Sequence, residues 1–278
     1  MSAHQTLRRV LREAPVHAFL LLPNLSVLFL LYYLVSNALK PQAEYYASEF
    51  ALPRSLSLDA LHAAATDGNM MGALWNSIVL TSVSTAVAVF FGACAAYAFA
   101  QLRVRWKTAI FVAMLVPMSI SPLIVSVPLF AQLAKLGLIN TYFGGMIVYV
   151  GLQVSFAIYV LDGVFRQIPE EVIEAARIDK AGPVRIFFSI VLPMAAPGLA
   201  ATALFVMLAV WNDLLVGLLF LSSPETIPIT ANVVTFQQKF SADPQIIFAG
   251  LTISAMPILL VYAIAQRWFI GGLGGTFR

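Results

Sequence analysis

Side chains able to do acid–base or ligand chemistry are scarce in this sequence, and most of them crowd into one stretch. Between Arg166 and Arg185 lie eight of the chain's 29 charged residues: Arg166, Glu170, Glu171, Glu174, Arg177, Asp179, Lys180 and Arg185. The carboxylates from Glu170 to Asp179 are the one cluster an acid–base enzyme would draw on, but helix construction explains them better. Pro169 is expected at the first helical position, where its missing N–H costs nothing, and Glu170 and Glu171 face the positive end of the helix dipole. The remaining candidates are dispersed. His4, His17 and His62 stand far apart, and neither HExxH, CxxC nor a GxxxxGK[ST] phosphate loop occurs. The chain is therefore not expected to bind ATP by that loop or to hold a metal. The single cysteine, Cys94, excludes an intrachain disulfide and reads as small-residue packing.

The elements that carry these residues follow from composition. With 60% apolar and 10% charged residues over 278 positions, the chain is too apolar for a soluble globule. About twenty apolar residues cross the ~30 Å hydrocarbon layer, and stretches free of Asp, Glu, Lys and Arg place spans at about 15–38, 72–101, 109–131, 144–165, 198–221 and 246–268. Residues 186–221 would be too long as one span and too short for two with a turn. Pro193 and Pro197 are therefore read as an entry elbow, with the crossing at 198–221 and Asp213 inside it. Lys and Arg test the count, because they accumulate on the cytoplasmic side. Arg8, Arg9, Arg12, Arg103, Arg105, Lys107, Arg166, Arg177, Lys180, Arg185, Arg267 and Arg278 fall on one side, against Lys40, Arg54, Lys135 and Lys239 on the other. This asymmetry predicts six spans with both termini cytoplasmic. The N-terminal arginines and apolar run resemble a signal peptide, but the run is too long and lacks a small-residue cleavage site, so it is read as an uncleaved first span. The expected fold class is all-α, a polytopic membrane protein of six transmembrane helices forming a single domain over 1–278, with a cytoplasmic loop at 166–190. The net charge of +3 reflects topology and points to no nucleic acid.

Within this frame, the small residues from Gly92 to Ala100 let helix backbones approach closely and predict an interior span. Pro117, Pro122 and Pro128 break the third span's hydrogen-bond ladder repeatedly. In lipid this is tolerated where protein or a watery cavity re-satisfies the freed carbonyls, so a bent helix lining a path is expected. Asp162 and Arg166, four apart, share a helix face and read as an interfacial ion pair. Val172, Ala175, Ala176 and Asp179 follow helical spacing, and an exposed face with two alanines would make a shallow docking surface. The external segment 40–68 is the longest hydrophilic region.

At this point a resemblance enters. EAARIDKAG followed by IVLP resembles the EAA loop of ATP-binding-cassette importer permeases of the carbohydrate, maltose-type branch. NSIVLTSVSTAVAVFFGACAAYAFAQL, VPMSISPLIVSVPLFAQLAKLGLINTYFGGMIVYV, AVWNDLLVGLLFLSSPETIPI and QRWFIGGL extend the likeness in the same order. The resemblance implies a type I (MetI-like) permease fold in a bacterial inner membrane. It implies a coupling helix carrying Glu174, Ala175, Ala176, Asp179, Lys180 and Gly182 that docks on a cytoplasmic ATPase. The implied partners are an ATPase dimer, a second permease subunit expected to be a different chain, an extracytoplasmic substrate-binding protein and membrane lipid. No cofactor is expected in this chain, since ATP and Mg would be bound by the partner ATPases, and the chain is expected not to be an enzyme. Asn212, Asp213, Tyr149 and Gln153 are candidates for the substrate path. Helix stitching is the favoured role for Asn212 and Asp213, and core packing for Tyr149 and Gln153. The segment 222–243 is large enough to project towards a binding protein. Two positions depart from the family pattern. Lys180 stands where the family has glycine, so the helix is expected to run to about Ala181 and turn at Gly182. The tail GGLGGTFR also differs, which argues against a tail contact with the ATPases.

Two other classes compete. An ion-coupled secondary transporter would use Asp213 and Asp162 as charge sites, but the inverted repeats expected there are not visible. An integral-membrane enzyme would need the Glu170 to Asp179 carboxylates for chemistry.

Overall fold

The computed structural model describes residues 3–101 and 105–274, with side chains at 21–101 and 105–263. Arg103 and 275–278 of the tail lie outside the described residues, as do the side chains of Arg8, Arg9, Arg12 and Arg267. The described residues form helices and turns, without a strand. In order these are α1 (Ala3–Ala38), α2 (Gln42–Ala47), α3 (Asp59–Thr66), α4 (Met70–Gln101), α5 (Lys107–Leu115), a 3₁₀ turn (Val116–Ser119), α6 (Pro122–Lys135) and α7 (Tyr142–Phe165). There follow α8 (Glu170–Ile178), α9 (Pro183–Ile186), a π turn (Phe187–Val191), α10 (Leu192–Met194), α11 (Ala196–Trp211), α12 (Leu215–Phe220), α13 (Ile229–Lys239) and α14 (Pro244–Gly274).

Among the described residues, four helices are continuous, long and apolar enough to cross a bilayer, and two bent pairs of helices pass the same test when each pair is taken together. The pair Lys107–Ser119 and Pro122–Lys135 meets at 94°, and the pair Pro183–Met194 and Ala196–Trp211 at 79°. Counting each bent pair once gives six spans. The prolines account for the bends: Pro117 lies in the 3₁₀ turn, Pro122 opens α6, and Pro193 and Pro197 flank Ala195. Pro128, by contrast, is accommodated inside α6.

The chain divides into two compact units. One comprises the residues up to Gly68 with Phe236–Ile253. In it the Tyr33 ring meets Phe248 edge-on at 5.3 Å, and the Glu44 carboxylate accepts the backbone N–H groups of Arg54 and Ser55. The Arg54 N–H is the main reason that carboxyl is held below its ordinary range.

The other comprises Asn69–Thr235 with the residues from Ser254. Its axis is the packing of α4 on α7. Ala73, Asn76, Ser77, Leu80, Thr81, Ser84, Thr85, Ala88 and Gly92 are buried along one side of α4, the spacing that puts residues on one helical face. A Cβ on Gly92 would stand 2.6 Å from that of Ala157, so only glycine permits this approach. The interior position expected for this span from its small residues matches the structure.

Two features of this unit differ from expectation. The span placed at 198–221 is interrupted, since α11 ends at Trp211 and α12 starts at Leu215. The segment after α12 turns inward rather than projecting along its whole length: Thr226, Ile227, Ile229 and Ala231 are buried. Asn76 Nδ2 donates to the Ile227 carbonyl at 2.9 Å, and the Ile229 N–H to Ser77 Oγ at 2.7 Å. The apolar residues of TIPITANVV, next to two polar side chains on α4, explain the inward fold.

Candidate functional site

The charged stretch forms α8, capped by Pro169 in extended conformation, with Glu170 and Glu171 in its first turn and Arg177 in its last. Pro169 is thus one position earlier than expected, which still spares the helix an unsatisfied N–H. The inward face of α8 is Ile173, 1% exposed, with Ala176 one turn on. Both enter a cluster with Ala96 and Tyr97 of α4, Phe165 of α7, Ile168, Ile186 and Phe187. This corrects the expected face: residues three apart lie side by side on a helix, so Ala176 follows Ile173 inward while Ala175 and Asp179 stay exposed and Val172 is half-buried.

Three hydrogen bonds reinforce the seat. Tyr97 Oη donates to the Pro183 carbonyl at 3.0 Å, Gln101 Nε2 to the Phe165 carbonyl at 3.0 Å, and Arg177 Nη2 to the Gln101 carbonyl at 3.1 Å. Tyr97 and Gln101 were not picked out from the sequence. Their spacing of four, at the end of a small-residue run, was the available signal. Beside them is a polar groove of about 430 Å³ lined by Gln101, Arg166, Glu170, Glu174 and Arg177. Arg166 Nε donates to Asp162 Oδ2 at 2.7 Å, the ion pair expected from their spacing. That bond is the main cause holding the Arg166 guanidinium above its ordinary range. The outer face of α8 presents Glu174 and Ala175, with Ile178 at 81% exposure, and Val184 is 69% exposed just beyond.

The helix end corrects a second expectation. α8 stops at Ile178, Lys180 takes the left-handed conformation at φ 58°, and Gly182 is extended at φ −71° and ψ 162°. The expected extension to Ala181 with a turn at Gly182 is therefore wrong. The Lys180 N–H donates to the Arg177 carbonyl and the Ala181 N–H to the Ala176 carbonyl, each at 3.0 Å. These two bonds make a Schellman ending that satisfies the last carbonyls. With Ala176 buried and Ala181 half-buried against the same cluster, this ending outweighs the ~1 kcal/mol that a non-glycine residue costs there.

The candidate path residues separate into two settings. Tyr149 is 1% exposed in a cluster with Leu80, Val206, Val210, Val216 and Phe220, so it packs the core. Gln153 is half-buried one turn on. Asn212 and Asp213 occupy the break between α11 and α12. Asp213 Oδ1 accepts the Val216 N–H at 2.7 Å, and Asn212 Nδ2 donates to the Leu208 carbonyl at 2.8 Å. Thr230 Oγ1 donates to the Trp211 carbonyl at 2.7 Å. Of these three bonds, Thr230 to Trp211 ties one helix to another, whereas the Asn212 and Asp213 side chains bond within four residues, finishing α11 and starting α12 rather than stitching helices together as expected. Among the described residues no group of three or more His, Cys, Asp or Glu is placed to hold a metal.

Residues 88–273 match the model of the binding-protein-dependent transport system inner membrane component. The chain belongs to this family. It is 32% identical over 265 residues to the diacetylchitobiose uptake system permease protein NgcG of Streptomyces coelicolor, covering 94% of this chain and 88% of that protein. It is 31% identical over 243 residues to the trehalose transport system permease protein SugB of Mycobacterium tuberculosis, covering 87% of this chain and 88% of that one. Among solved structures, a chain of a bacterial ABC transporter involved in import of the acidic polysaccharide alginate superposes with a TM-score of 0.81. That superposition covers 97% of this chain and 99% of that one at 21% identity, a likeness of fold. The fold is that of an inner-membrane ABC importer permease, a transport subunit.

Proposed function

We propose that this chain forms half of the translocation path of an ATP-driven carbohydrate importer and couples it to the motor through α8. The observation that carries the reading is the seating of α8. A short helix with Glu174, Ala175 and Ile178 on its free face is bound through Ile173 and Ala176 to the ends of α4 and α7. A push on the free face would pass into two spans with little slack. The occupant of that face is a cytoplasmic ATPase dimer, which binds ATP and Mg; this chain contributes no cofactor. Coupling falls to Glu174, Ala175, Ala176, Asp179, Lys180 and Gly182, with Ala176 acting from the buried side and Lys180 through the turn. Both termini face the cytoplasm, and a second, different permease chain completes the path. The family description, binding-protein-dependent transport, supports an extracytoplasmic substrate-binding protein as a further partner. The diacetylchitobiose and trehalose relatives support a carbohydrate cargo. Asn212 and Asp213 come nearest to a path-lining role, since half-helix ends at membrane depth are where transporters expose polar groups. Tyr149 and Gln153 support the walls behind them.

The test is uptake in proteoliposomes holding the whole transporter. Ala175→Asp and Glu174→Lys should leave membrane insertion and assembly of the permease pair intact while reducing ATP-driven uptake at least tenfold. Wild-type uptake in both variants would overturn the coupling role.

A further inference from the structure

Between α2 and α3, in the region that hydropathy marks as hydrophilic, the chain turns large apolar side chains outward. Phe50, Leu52, Leu56 and Leu58 are each 66–76% exposed. A loop surrounded by water would gain by folding some of these against itself, but hydrogen bonds hold this one open at three points. Lys40 is 1% exposed, and Nζ donates to Asn37 Oδ1 at 3.0 Å, the Ser48 carbonyl at 3.1 Å and the Glu49 carbonyl at 2.8 Å. All three ammonium hydrogens are thereby used, and the chain leaving α2 is drawn back onto the end of α1. The Glu44 carboxylate then holds the N–H groups of Arg54 and Ser55, and the Ser57 N–H donates to the Leu39 carbonyl at 2.8 Å.

The neighbours of the loop give its depth. The Phe50 ring lies 5.3 Å from that of Tyr33, which stacks on Phe29 at 6.3 Å. Tyr33 is five residues short of the end of α1 at Ala38, which is about 7.5 Å down the helix axis. The loop therefore hangs beside the span instead of standing above it. Tyr32, Tyr33, Tyr45 and Tyr46 lie at the same level: Tyr32 Oη donates to the Phe50 carbonyl at 3.5 Å, the Tyr45 ring is 5.4 Å from that of Tyr46, and both Tyr33 and Tyr45 meet Phe248. Tyrosine marks the boundary between bilayer and water, where its ring sits in the acyl margin and its hydroxyl among headgroups. Below this belt Leu25, Leu28 and Phe29 of α1 are exposed, so Phe50 continues the apolar surface of the span. The reach of about 7.5 Å falls within the roughly 5–10 Å to which interfacial elements sink. Glu49 and Arg54 are exposed within the same loop. Charge is costly in hydrocarbon, so these two stay with the headgroups and set the limit of immersion. They are one of each sign, which leaves no net attraction to anionic lipid.

We propose that residues 46–58 form an interfacial foot, with Phe50, Leu52, Leu56 and Leu58 immersed at the headgroup–acyl boundary of the leaflet where α1 ends. Lipid is the partner of this surface, and the foot fixes how deep α1 sits. On the topology proposed above the leaflet is the extracytoplasmic one. The immersion itself goes beyond that reading and does not depend on coupling through α8.

The experiment uses the assembled transporter in liposomes, with the photoreactive residue p-benzoylphenylalanine placed in turn at positions 52, 56 and 62. His62 is exposed on α3 beside the exposed Thr66 and Asp67 and serves as the reference in water. After illumination, lipid adducts at 52 and 56 should exceed those at 62 at least tenfold. The yield should be the same in zwitterionic and anionic liposomes and at low and high salt, as apolar immersion requires. Adducts at 52 and 56 to a second permease chain or to a binding protein in place of lipid would overturn the proposal, and so would yields no higher than at 62. Leu56→Asp supplies an independent check: it should cut the lipid adduct at 52 severalfold, whereas Leu56→Met should keep it. An adduct at 52 indifferent to the aspartate would also overturn the foot. Photolabelling needs no turnover, so failed coupling at α8 would leave these yields unchanged, and absent lipid adducts would leave the coupling role standing.

Discussion

The α8 segment and the break at 212–214 both interrupt the long helices, but they are secured in opposite ways. At α8 the backbone closes its own accounts through the Schellman ending, and apolar side chains hold the element to its neighbours. At 212–214 the packing is supplied by the flanking helices, and the side chains of Asp213 and Thr230 satisfy the freed Val216 N–H and Trp211 carbonyl. On the topology proposed above, with α8 in the cytoplasm and the break within the bilayer, the difference follows from the surroundings. Where water is near, an unpaired carbonyl is cheap and hydrophobic burial is what fixes a helix in place. At membrane depth burial gains nothing over lipid, and each unpaired backbone group costs several kcal/mol.

Substitutions can break this comparison. The largest expected effect is at Ile173→Ala, which empties the centre of the α8 seat and should cost about 2–5 kcal/mol of local packing. Cysteine accessibility of Ala176 would then rise, and uptake would fall although the outer face is untouched; an unaltered accessibility would refute burial as the fastening. Asp213→Ala removes the bond to Val216 and should cost about 0.5–2 kcal/mol, seen as a lower melting temperature of the purified transporter, with Asp213→Asn recovering most of it. A melting temperature unchanged by both would sink the capping role of Asp213. Lys180→Gly should sharpen the contrast by stabilising α8 by about 1 kcal/mol, measured as slower amide exchange in 170–178. The smallest effect concerns pH at Glu44. Its carboxyl is depressed by the Arg54 N–H, so its contribution is present above the ordinary carboxylate range and lost as pH falls through the lowered value. After correction for intrinsic rates, Arg54 and Ser55 amides should lose protection in that acidic window.

The sequence made the spans legible because lipid demands long apolar runs, and the elbows legible because proline cannot be hidden in a helical ladder. It did not reveal the gap at 212–214: Asn212 and Asp213 interrupt hydropathy too briefly, and their capping bond depends on Val216 being in place. The face of α8 was misassigned because nine residues fit two stripes equally well, and the choice is made by Tyr97, Phe165 and Phe187 from elsewhere in the chain. Lys180 was misread because intrinsic preference disfavours a left-handed lysine, whereas the burial of Ala176 next to it decides the turn.

The close contact of Gly92 with Ala157 sets a boundary on any working cycle. Two rods that touch at a bare α-carbon have no clearance to slide or roll, so they swing as one beam. Any movement in a transport cycle would then fall to the bends of this unit, at the 94° corner between Ser119 and Pro122, the 79° corner by Ala195 and the gap after Trp211. Spin labels on the beam should keep a constant separation through an ATP cycle, while a pair straddling Ala195 should not.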